Sequence, residues 1–370
     1  MADTVLITGG AGFIGRWTAK ALLKRGYDVR ILDSLIEQAH PGSRPPADLP
    51  PEAELIVGDV RDANAVLAAL RGVDKVIHLA AEVGVGQSMY AIDRYTSVND
   101  YGTAVLFQQL IERPVKRVVT ASSMSIYGEG LYRDADGGLH ETVAKPVKSE
   151  TGSWDPLDDR GRPLAPLPTP ETKRPTLASV YALGKYMQER LTLTVAPSYG
   201  MEGAALRLFN VYGPGQALSN PYTGVLAIFA ARLLHDRAPM VFEDGRQRRD
   251  FVHVEDAAQA FVLALEHPNA PGRAFNIGSG TNVSIAEVAM ALARAMGKDI
   301  QPEILDQARA GDIRHCFADV SLAERMLGFK AKKDFHEGLQ ALAAWLEAQE
   351  AEDKVHDARR ELEARGLVAS

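Results

Sequence analysis

The sequence predicts an α/β fold in which a doubly wound parallel sheet is joined to a smaller mixed α/β domain. Short apolar runs suited to buried strands alternate with helix-compatible segments as far as Phe209, which is typical of parallel sheets. A glycine-rich turn separates the first such run from the first helix, and beyond Phe209 the alternation gives way to shorter, mixed elements. The 370 residues suit one large or two intimately joined domains, and a hydrophobic content of 46% provides for a substantial core.

Composition narrows the possible partners and compartment. A formal net charge of −7, with lysines and arginines spread along the chain, offers no basic surface for nucleic acid. The single cysteine, Cys316, excludes an intramolecular disulfide and a cysteine metal cluster, and it fits a reducing cytoplasm. No apolar run reaches the roughly 18 residues that span a bilayer, so no membrane association is expected. The N-terminus enters a strand pattern at once, so we also expect no signal peptide.

The first strand is predicted at residues 4–8, and a helix at residues 16–25. Between them lies the sequence Gly9-Gly-Ala-Gly12-Phe-Ile-Gly15. In a strand, turn and helix of this kind, the first glycine permits the tight turn, the second lets the backbone approach a pyrophosphate, and the third lets helix and strand pack closely. The pattern therefore predicts a Rossmann-type dinucleotide site, the alternative being a glycine turn without a ligand.

The second strand, residues 28–32, ends at Asp33, eighteen residues after Gly15. An acidic side chain there can accept hydrogen bonds from an adenosine ribose and would repel a 2′-phosphate, which favours NAD over NADP. The alternative is a solvated loop aspartate. A third strand follows at residues 54–57, and Asp59 either reaches the adenine amine or is the N-cap of the next helix.

The fourth strand, residues 75–79, runs into small residues at 80–86 that leave room for a ligand. A helix is predicted at 99–111 and a fifth strand at 117–120. The serines at 122, 123 and 125 follow that strand, where they can donate to a substrate oxygen or merely satisfy the loop backbone. The next segment, about 130–178, is rich in Pro, Asp, Lys and Gly and is expected to be a surface insertion or lid.

Tyr181 and Lys185 lie four apart on one helical face, so the lysine ammonium can hold the phenol near its ionised form. This spacing is common and weak by itself. After a sixth strand at 204–209, Arg249 and Arg309 are candidates for gripping a diphosphate, the alternative for each being a solvated surface arginine. Residues 347–367 have a charged, helical pattern and are expected to form a solvent-exposed terminal helix.

Taken together, these motifs resemble those of a known family. The chain has Gly-x-x-Gly-x-x-Gly at its start, Ser123 four residues before Tyr127, Tyr181-x-x-x-Lys185, Arg-Leu-Phe-Asn at 207–210 and Arg-Asp-Phe at 249–251. It resembles the extended short-chain dehydrogenases/reductases of the NAD-dependent epimerase/dehydratase family, and more narrowly the nucleotide-sugar epimerases of the UDP-glucose 4-epimerase type.

The resemblance implies a role for particular residues. Ser123 would hydrogen-bond the reacting sugar oxygen, Tyr181 would take and return its proton, and Lys185 would hold the nicotinamide ribose and lower the pKa of the tyrosine. With Tyr181 and Lys185, the implied NAD contacts are Gly9, Gly12, Phe13, Ile14, Asp33, Asp59, Val60, Leu79, Ala80, Ala81, Asn99 and Phe209. The implied substrate contacts are Val83, Ser123, Ser125, Tyr181, Asn210, Arg249, Arg309 and Cys316, of which Asn210 and the two arginines would bind the diphosphate.

Departures from the family pattern bear on the reaction. Sugar-nucleotide 4,6-dehydratases carry an Asp-Glu pair after the catalytic hydroxyl, where this chain has Met124 and Ser125. UDP-galactose epimerases usually have a lysine where Val83 stands. The small Cys316 suggests a roomy sugar pocket, the alternative being a buried structural thiol.

The insertion and the tail are similar to those of enzymes grouped with dTDP-L-rhamnose 4-epimerase. Many relatives in that group have cysteine pairs in the insertion, as if for zinc. The single cysteine of this chain, Cys316, lies outside the insertion, so no metal site is expected.

The expected function is a nucleotide-sugar 4-epimerase with tightly bound NAD and a nucleotide-diphosphate sugar as substrate, possible substrates being dTDP-L-rhamnose or a related hexose nucleotide. The alternatives are a 4-ketoreductase or another NAD(P)-dependent oxidoreductase or decarboxylase, and a non-catalytic NAD-bound regulator. The expected domains are 1–207 for NAD, with a return at about 249–268, then 208–346 for the substrate, and a charged C-terminal helix at 347–370. By family analogy, helices 99–111 and 179–196 pair in a homodimer.

Overall fold

A computed structural model describes residues 2–143, 148, 152–218, 220, 224–309, 311–349, 353 and 355–369. Its strands are β1 Thr4–Thr8, β2 Asp28–Asp33, β3 Glu54–Val57, β4 Lys75–His78, β5 Arg117–Ser123, β6 Leu131–Arg133, β7 Leu139–His140, β8 Ala165–Leu167, β9 Glu202–Leu208, β10 Asn210–Tyr212, β11 Met240–Val241, β12 Arg248–Arg249, β13 Phe251–His253, β14 Arg273–Ile277, β15 Val283–Ser284, β16 Glu303–Ile304, β17 Ala308–Arg309, β18 His315–Cys316 and β19 Val368–Ala369.

The helices complete the list of elements. They are α1 Phe13–Lys24, α2 Ala63–Ala69, α3 Val85–Ser88, α4 Ile92–Tyr95, α5 Gly102–Glu112, α6 Val180–Ser198, α7 Val225–Leu234, α8 Val254–Glu266, α9 Ile285–Ala295, α10 Ser321–Leu327, α11 Phe335–Leu346 and α12 Val355–Ala364. A π-helical turn, Thr96–Tyr101, joins α4 to α5. None of the helices in the described ranges combines the length and the apolarity needed to cross a membrane.

The central sheet has seven strands in the order β14-β9-β5-β4-β1-β2-β3, and every neighbouring pair is parallel. This confirms the predicted Rossmann-type sheet, in which the strand order reverses between β1 and β4. The seventh strand, β14, was not predicted, and it lies beyond the expected return at 249–268. Its side chains Phe275 and Ile277 are fully buried against the sheet's core.

Alternation along the strands directs side chains to two apolar layers. Val5 and Ile7 of β1 pack with Leu22 of α1 and Phe261 of α8 on one face of the sheet. Leu6, between them, points to the other face, where α2 and α5 pack. Helix α1 begins at Phe13 rather than at the predicted Arg16, because the helix follows the glycine turn directly.

A second core lies beyond the sheet, among α7, α9 and α11. Phe229, Leu233, Leu292 and Leu339 are buried there together with Tyr212. The smaller mixed part of the molecule therefore has a hydrophobic core of its own, and the space between the two cores is where a ligand can bind.

The segment expected as a surface insertion or lid is in part well packed. Its strands β6, β7 and β8 form an antiparallel sheet, and the side chains of Tyr132 and Trp154 are buried. Thr169 pairs with Ala318 in a parallel bridge that ties the segment to the rest of the chain. The expectation of a surface segment is therefore incomplete, since aromatic anchors hold part of it in place. Residues 144–147 and 149–151 lie outside the described ranges.

The C-terminal helix also differs from its prediction. Helix α12 spans Val355–Ala364, and residues 350–352, 354 and 370 of the predicted segment lie outside the described ranges. Ala358 and Leu362 are buried, so the expected fully solvent-exposed helix is wrong for one face. The charged side chains that suggested exposure, such as Arg360 and Asp357, lie on the other face, where they pair in solvent.

Candidate active site

A cavity of about 630 Å³ lies at the carboxyl ends of the parallel strands, between the sheet and the second core. Every predicted site residue except Asn99 and Cys316 lines it. The strand ends of β1 and β4 meet there, at the point where the strand order reverses, which is where open α/β sheets bind ligands. The sequence-based prediction therefore converges on one place in the fold.

The glycine turn leaves its backbone open to the cavity. Gly9 has φ +69°, and a Cβ on it would lie 2.7 Å from the Ala80 nitrogen. A Cβ on Gly15 would lie 2.5 Å from Gly10 Cα, so only glycine allows this approach of helix and turn. Gly12 is the N-cap of α1 and contributes no side-chain cap. This arrangement fits a pyrophosphate, which the free N–H groups of the helix N-terminus can bind.

Asp33, at the end of β2, is held by backbone donors. Its Oδ2 accepts from the Ala11 N–H (3.0 Å) and its Oδ1 from the Leu35 N–H (2.9 Å). A carboxylate oxygen has a further lone pair, so Asp33 can still accept from a ribose hydroxyl in the cavity that it lines. The residues of this end of the cavity thus fit NAD.

Asp59 had two possible roles, and the structure removes one of them. The N-cap of α2 is Asp62, whose carboxylate accepts from the Asn64 N–H (2.8 Å). Asp59 instead pairs with the Arg61 guanidinium (2.6 Å), which lowers the pKa of its carboxyl. The N-cap alternative is therefore wrong, while Asp59 does line the cavity and its contact with adenine stays a prediction.

Ser123 and Tyr181 come together on the cavity wall. Ser123 ends β5, and its Oγ accepts from the Ser125 N–H and donates to the Ser125 Oγ, each at 3.1 Å. Tyr181 lies in the first turn of α6, whose N-cap Ser179 accepts from the Ala182 N–H. Burial raises the pKa of the Tyr181 phenol, and the nearby Ser123 hydroxyl offsets part of that rise.

Lys185 lies one turn further along α6 and is almost completely buried. Burial lowers the pKa of its ammonium to about 7. Its Nζ donates to Gln188 Oε1 at 2.5 Å, and Gln188 Nε2 in turn donates to the Ala80 carbonyl and to Thr103 Oγ1. Gln188 therefore orients the lysine and ties it to the strand end of β4. Gln188 was not predicted, although its spacing of three from Lys185 places both on one helical face.

His78 completes this buried network behind the site. One of its ring nitrogens lies 2.6 Å from Thr8 Oγ1, and the other is bonded to Thr103 and Gln188. Burial, followed by the nearby Lys185, lowers the pKa of His78 to about 3, so the ring is neutral at physiological pH. The neutral ring lies 3.1 Å from Gln188 Nε2 and packs against this amide, whose Oε1 is directed at the lysine.

The other half of the cavity contains amide oxygens that lack a partner among the described residues. These are Asn210 Oδ1 and Gln247 Oε1, both buried and both on residues of the cavity lining. A buried acceptor without a donor costs about 1 to 3 kcal/mol, so a ligand N–H or O–H is expected at each. Asn210 was predicted as a substrate contact; Gln247 was missed, because nothing in the local sequence distinguishes it.

Arg249 and Arg309, the two arginines predicted to bind the diphosphate, are positioned by contacts within the protein. Arg249 Nη1 donates to the Arg314 carbonyl (3.0 Å), and its other amino group donates to the Ile313 carbonyl. Arg309 pairs with Asp312 through Nε (2.8 Å) and stacks over the Phe242 ring at 4.4 Å. Both guanidinium groups are thereby fixed on the cavity wall, as recognition of an anion requires.

Two residues predicted to contact a ligand, Asn99 and Cys316, are not part of the cavity lining. Asn99, in the π-helical turn, accepts from the Glu82 N–H (2.7 Å) and donates to the Glu82 carbonyl (3.1 Å), so it holds the loop after β4. Cys316 is buried beside Thr169, and burial raises the pKa of its thiol to about 12. Of the two interpretations of Cys316, this favours the structural thiol. Direct contact of either residue with a ligand stays a prediction.

Comparison with known proteins gives one consistent result. The model of the NAD dependent epimerase/dehydratase family matches residues 5–151 and 161–278. The chain is 36% identical over 360 residues to dTDP-L-rhamnose 4-epimerase of Burkholderia thailandensis, which covers 95% of this chain and 96% of that protein.

Solved structures agree with the sequence relatives. The crystal structure of Thermotoga maritima UDP-glucose 4-epimerase with UDP-glucose has a TM-score of 0.76 at 28% identity, and covers 93% of this chain and 98% of its own. The Thermus thermophilus UDP-glucose 4-epimerase complex with NAD has a TM-score of 0.72 at 29% identity, with 94% and 100% covered.

Proposed function

The chain belongs to the NAD-dependent epimerase/dehydratase family, and from that membership we propose that it is a nucleotide-sugar 4-epimerase with a retained NAD. The observation that carries the proposal is the placement of Ser123, Tyr181 and Lys185 between two half-sites of one cavity. On one side the glycine turn and Asp33 fit a dinucleotide, and on the other the arginines fit a diphosphate.

When bound, NAD supplies the acceptor, and later the donor, of the C4 hydride. Residues of the chain take up and later return the proton of the C4 hydroxyl. Tyr181 as phenolate takes the proton of the C4 hydroxyl, and the Ser123 hydroxyl orients that oxygen. The Lys185 ammonium, held by Gln188, opposes the effect of burial on the phenol by favouring its charged form.

Inversion requires that the proton and hydride return to a sugar that has turned over. Tyr181 then gives its proton back to the oxygen, now on the opposite face of the hexose. Arg249 and Arg309 hold the diphosphate throughout, so the sugar turns about a fixed point. An enzyme of this kind needs a firm grip on the nucleotide and a loose grip on the hexose, and the small residues at 80–86 suit the second need.

As substrate we propose dTDP-L-rhamnose or a related hexose nucleotide. The proposal is supported by the similarity to the Burkholderia thailandensis enzyme over nearly the whole of both chains. It is also supported by Val83, which lines the cavity where UDP-galactose epimerases usually have a lysine. Met124 and Ser125, in place of an acid pair, disfavour dehydration.

The alternative is a net oxidoreductase or decarboxylase on the same scaffold. The same Ser, Tyr and Lys would serve it, but it would consume or release nicotinamide cofactor during turnover. The intact catalytic group also argues against a non-catalytic NAD-bound regulator.

One experiment separates these possibilities. The purified protein is denatured to identify any released nicotinamide cofactor, and the native protein is incubated with UDP-, dTDP- and GDP-sugars without added cofactor, each product being analysed by NMR. We expect released NAD and a C4-inverted sugar with no net cofactor reduction. Activity only with stoichiometric added NAD(P)(H) would establish the oxidoreductase, and the absence of turnover on every sugar would contradict both enzymes.

We also propose a homodimer that pairs through α5 and α6. Tyr101, at the N-terminus of α5, is 59% exposed, and Leu183 and Met187, one turn apart on α6, are 50% and 37% exposed. Neighbouring exposed apolar side chains of this kind mark protein interfaces. In sedimentation equilibrium, Leu183→Asp is expected to be monomeric, whereas the control Leu157→Asp, in the insertion, stays dimeric. A monomeric wild type would contradict the proposal.

The cytoplasm is the compartment that we propose. Cys316 is a free, buried thiol, and a chain without a disulfide suits a reducing compartment. Fractionation of the native host, with an antibody against the chain, tests this directly.

A further inference from the structure

Residues 355–369, near the C-terminus, form part of the cavity wall; we call this segment the C-terminal strap. It consists of α12, a short turn and β19. Five of its residues line the cavity, and four of them are apolar: Val355, Ala358, Leu362 and Leu367. The fifth, Arg359, is paired with Glu363 and Gln307. The strap thus closes one side of the cavity with an apolar wall.

The N-terminal end of the strap is anchored on α7, in the second core. His356 Nε2 lies 3.2 Å from Arg232 Nη1. Just before the strap, Asp353 accepts from Arg237 at 2.9 Å and pairs with Arg232 at 3.6 Å. Because Arg232 is itself buried, this end is held by interactions with low exposure to solvent.

The other end of the strap reaches the loop after β4, beside the catalytic tyrosine. Leu362 Cδ2 would lie 3.5 Å from a Cβ on Gly86, and the Arg365 guanidinium lies 4.4 Å from the centre of the Tyr90 ring. Nearby, Val85 Cγ1 would lie 3.4 Å from a Cβ on Gly311. Leu362 and Val85 both line the cavity, and a Cβ on Gly311 would also lie 3.7 Å from the carbonyl oxygen of Ala178, three residues before Tyr181.

The middle of the cavity is coupled to the strap through a strand pair. β19 pairs antiparallel with β17, with Val368 opposite Arg309. Arg359 Nη2 donates to Gln307 Oε1 at 3.0 Å, just before β17. The strand that carries a proposed diphosphate ligand is thus held in place by the end of the chain.

We propose that the C-terminal strap is part of the substrate site, that it closes over the bound sugar nucleotide, and that Leu362 contacts the hexose. The proposal rests on the proposed epimerase. A hexose that has lost its C4 hydride must turn over inside the enzyme without escaping to solvent. An apolar wall suits this need, because it excludes water but offers no hydrogen bond that would fix the sugar in one orientation. Since the strap contacts both sides of the cavity, it must open for substrate to enter and product to leave.

Leu362→Ala tests the contact, with Arg360→Ala, on the exposed face of the same helix, as control. We expect Leu362→Ala to raise the KM for the sugar nucleotide at least tenfold. We also expect it to accumulate reduced nicotinamide during turnover, seen in near-ultraviolet absorbance, because the oxidised sugar escapes before the hydride returns. The NAD content of the purified variant should be unchanged, and Arg360→Ala should behave as wild type.

Amide hydrogen exchange of the wild-type holoprotein tests closure without any turnover. Added UDP or dTDP is expected to slow exchange in residues 355–369. Slowed exchange without epimerisation of any sugar would support the strap and contradict the epimerase. Unchanged exchange in the strap, or a Leu362→Ala protein with wild-type KM and no reduced cofactor during turnover, would overturn the proposal.

Discussion

Burial acts on Tyr181 and Lys185 in opposite directions, and the chemistry depends on the balance. It raises the pKa of the phenol and lowers that of the ammonium, so each group is pushed toward its neutral form. Two features counter this: the Ser123 hydroxyl near the phenol and the carboxamide oxygen of Gln188 at the ammonium. The catalytic group that we propose is thus set by residues on two elements, the end of β5 and the first half of α6.

The Tyr181→Phe variant isolates proton transfer. The ring stays in place, but the group that takes the proton is lost, so kcat is expected to fall by roughly 10³-fold. The NAD content should be unchanged, because the cofactor cradle is built mainly from β1, β2 and the glycine turn. Turnover is measured by NMR with the substrate identified in the sugar panel. The control Tyr199→Phe, an exposed tyrosine at the end of the same helix, should keep full activity; substantial activity of Tyr181→Phe would show that another group is the base.

The Lys185→Met variant tests how much the buried Lys185 ammonium lowers the free energy of unfolding. Burial lowers the pKa of Lys185 to about 7 in the folded protein, against about 10.4 in an unfolded chain. The folded state disfavours the ammonium, so wild-type stability is lowest below the folded pKa and rises as pH increases toward the unfolded value. Lys185→Met, inactive as an enzyme, should therefore be more stable than wild type at about pH 6, by a few kcal/mol at most.

That stability difference should shrink as pH rises, by roughly 1.4 kcal/mol per unit at the steepest. The measurement is urea unfolding of protein freed of nicotinamide cofactor, between about pH 6 and pH 9, a range that spans the folded pKa. Lys24→Met, an exposed lysine on α1, should show no such pH dependence relative to wild type. If the difference in unfolding free energy between Lys185→Met and wild type does not change with pH, the folded protein does not disfavour the lysine ammonium.

At the scale of elements, the turn between β1 and α1 depends on close approach of backbone to backbone. Gly15 faces Gly10 across this turn, and a methyl group there would meet main-chain atoms on Gly10 that no rotamer change can move. A second element, the π-helical turn Thr96–Tyr101, places the Asn99 carboxamide on the loop after β4. Both elements shape the cavity through backbone placement rather than through a side chain inside it.

The Gly15→Ala variant should displace α1 from the glycine turn. We expect reduced NAD content after purification and a loss of stability of about 1 to 3 kcal/mol, as for other overpacked sites. The checks are cofactor release on denaturation and the urea midpoint. Lys24→Ala, in the last turn of α1, serves as control and should match wild type in both. Full NAD content in Gly15→Ala would show that the turn tolerates a wider separation.

At the scale of the whole molecule, Arg314 joins three distant parts of the chain. Its side chain is buried and pairs with Asp155 of the insertion (2.8 Å), and with Glu243 (2.9 Å) and Asp244 (2.6 Å) of the second core. Its neighbour His315 lies 3.1 Å from the same Asp155 carboxylate. These contacts hold the insertion against the substrate side of the cavity, next to the carbonyls that position Arg249.

The Arg314→Met variant should therefore destabilise the protein strongly. Removing one partner from a buried ion-pair network typically costs about 3 to 5 kcal/mol, because carboxylates such as that of Glu243 stay buried. Urea unfolding followed by tryptophan fluorescence measures this, since Trp154 of the insertion is buried nearby. Arg160→Met removes an exposed pair with Asp136 and should cost less than about 1 kcal/mol. Equal effects of the two substitutions would contradict the role of Arg314.

The sequence by itself determined the parallel α/β sheet, the glycine turn between β1 and α1, and the placement of Tyr181 and Lys185 on one helical face. These features depend on short-range rules: the short apolar run of β1, glycine spacing in the turn, and the four-residue spacing of Tyr181 and Lys185 on one helical face. Such rules act within a few residues, so one sequence is enough to reveal them.

Only the tertiary structure decided which residues far apart in the sequence contact each other. The burial of Gln247, the seventh strand β14, the Arg314 network and the buried face of α12 all depend on partners far away in sequence. A charged helical pattern at 355–364 shows that one face is polar, but it does not show what the other face covers. Packing between residues far apart in the sequence determines what the apolar face of α12 covers. It also makes the C-terminal strap part of the cavity wall.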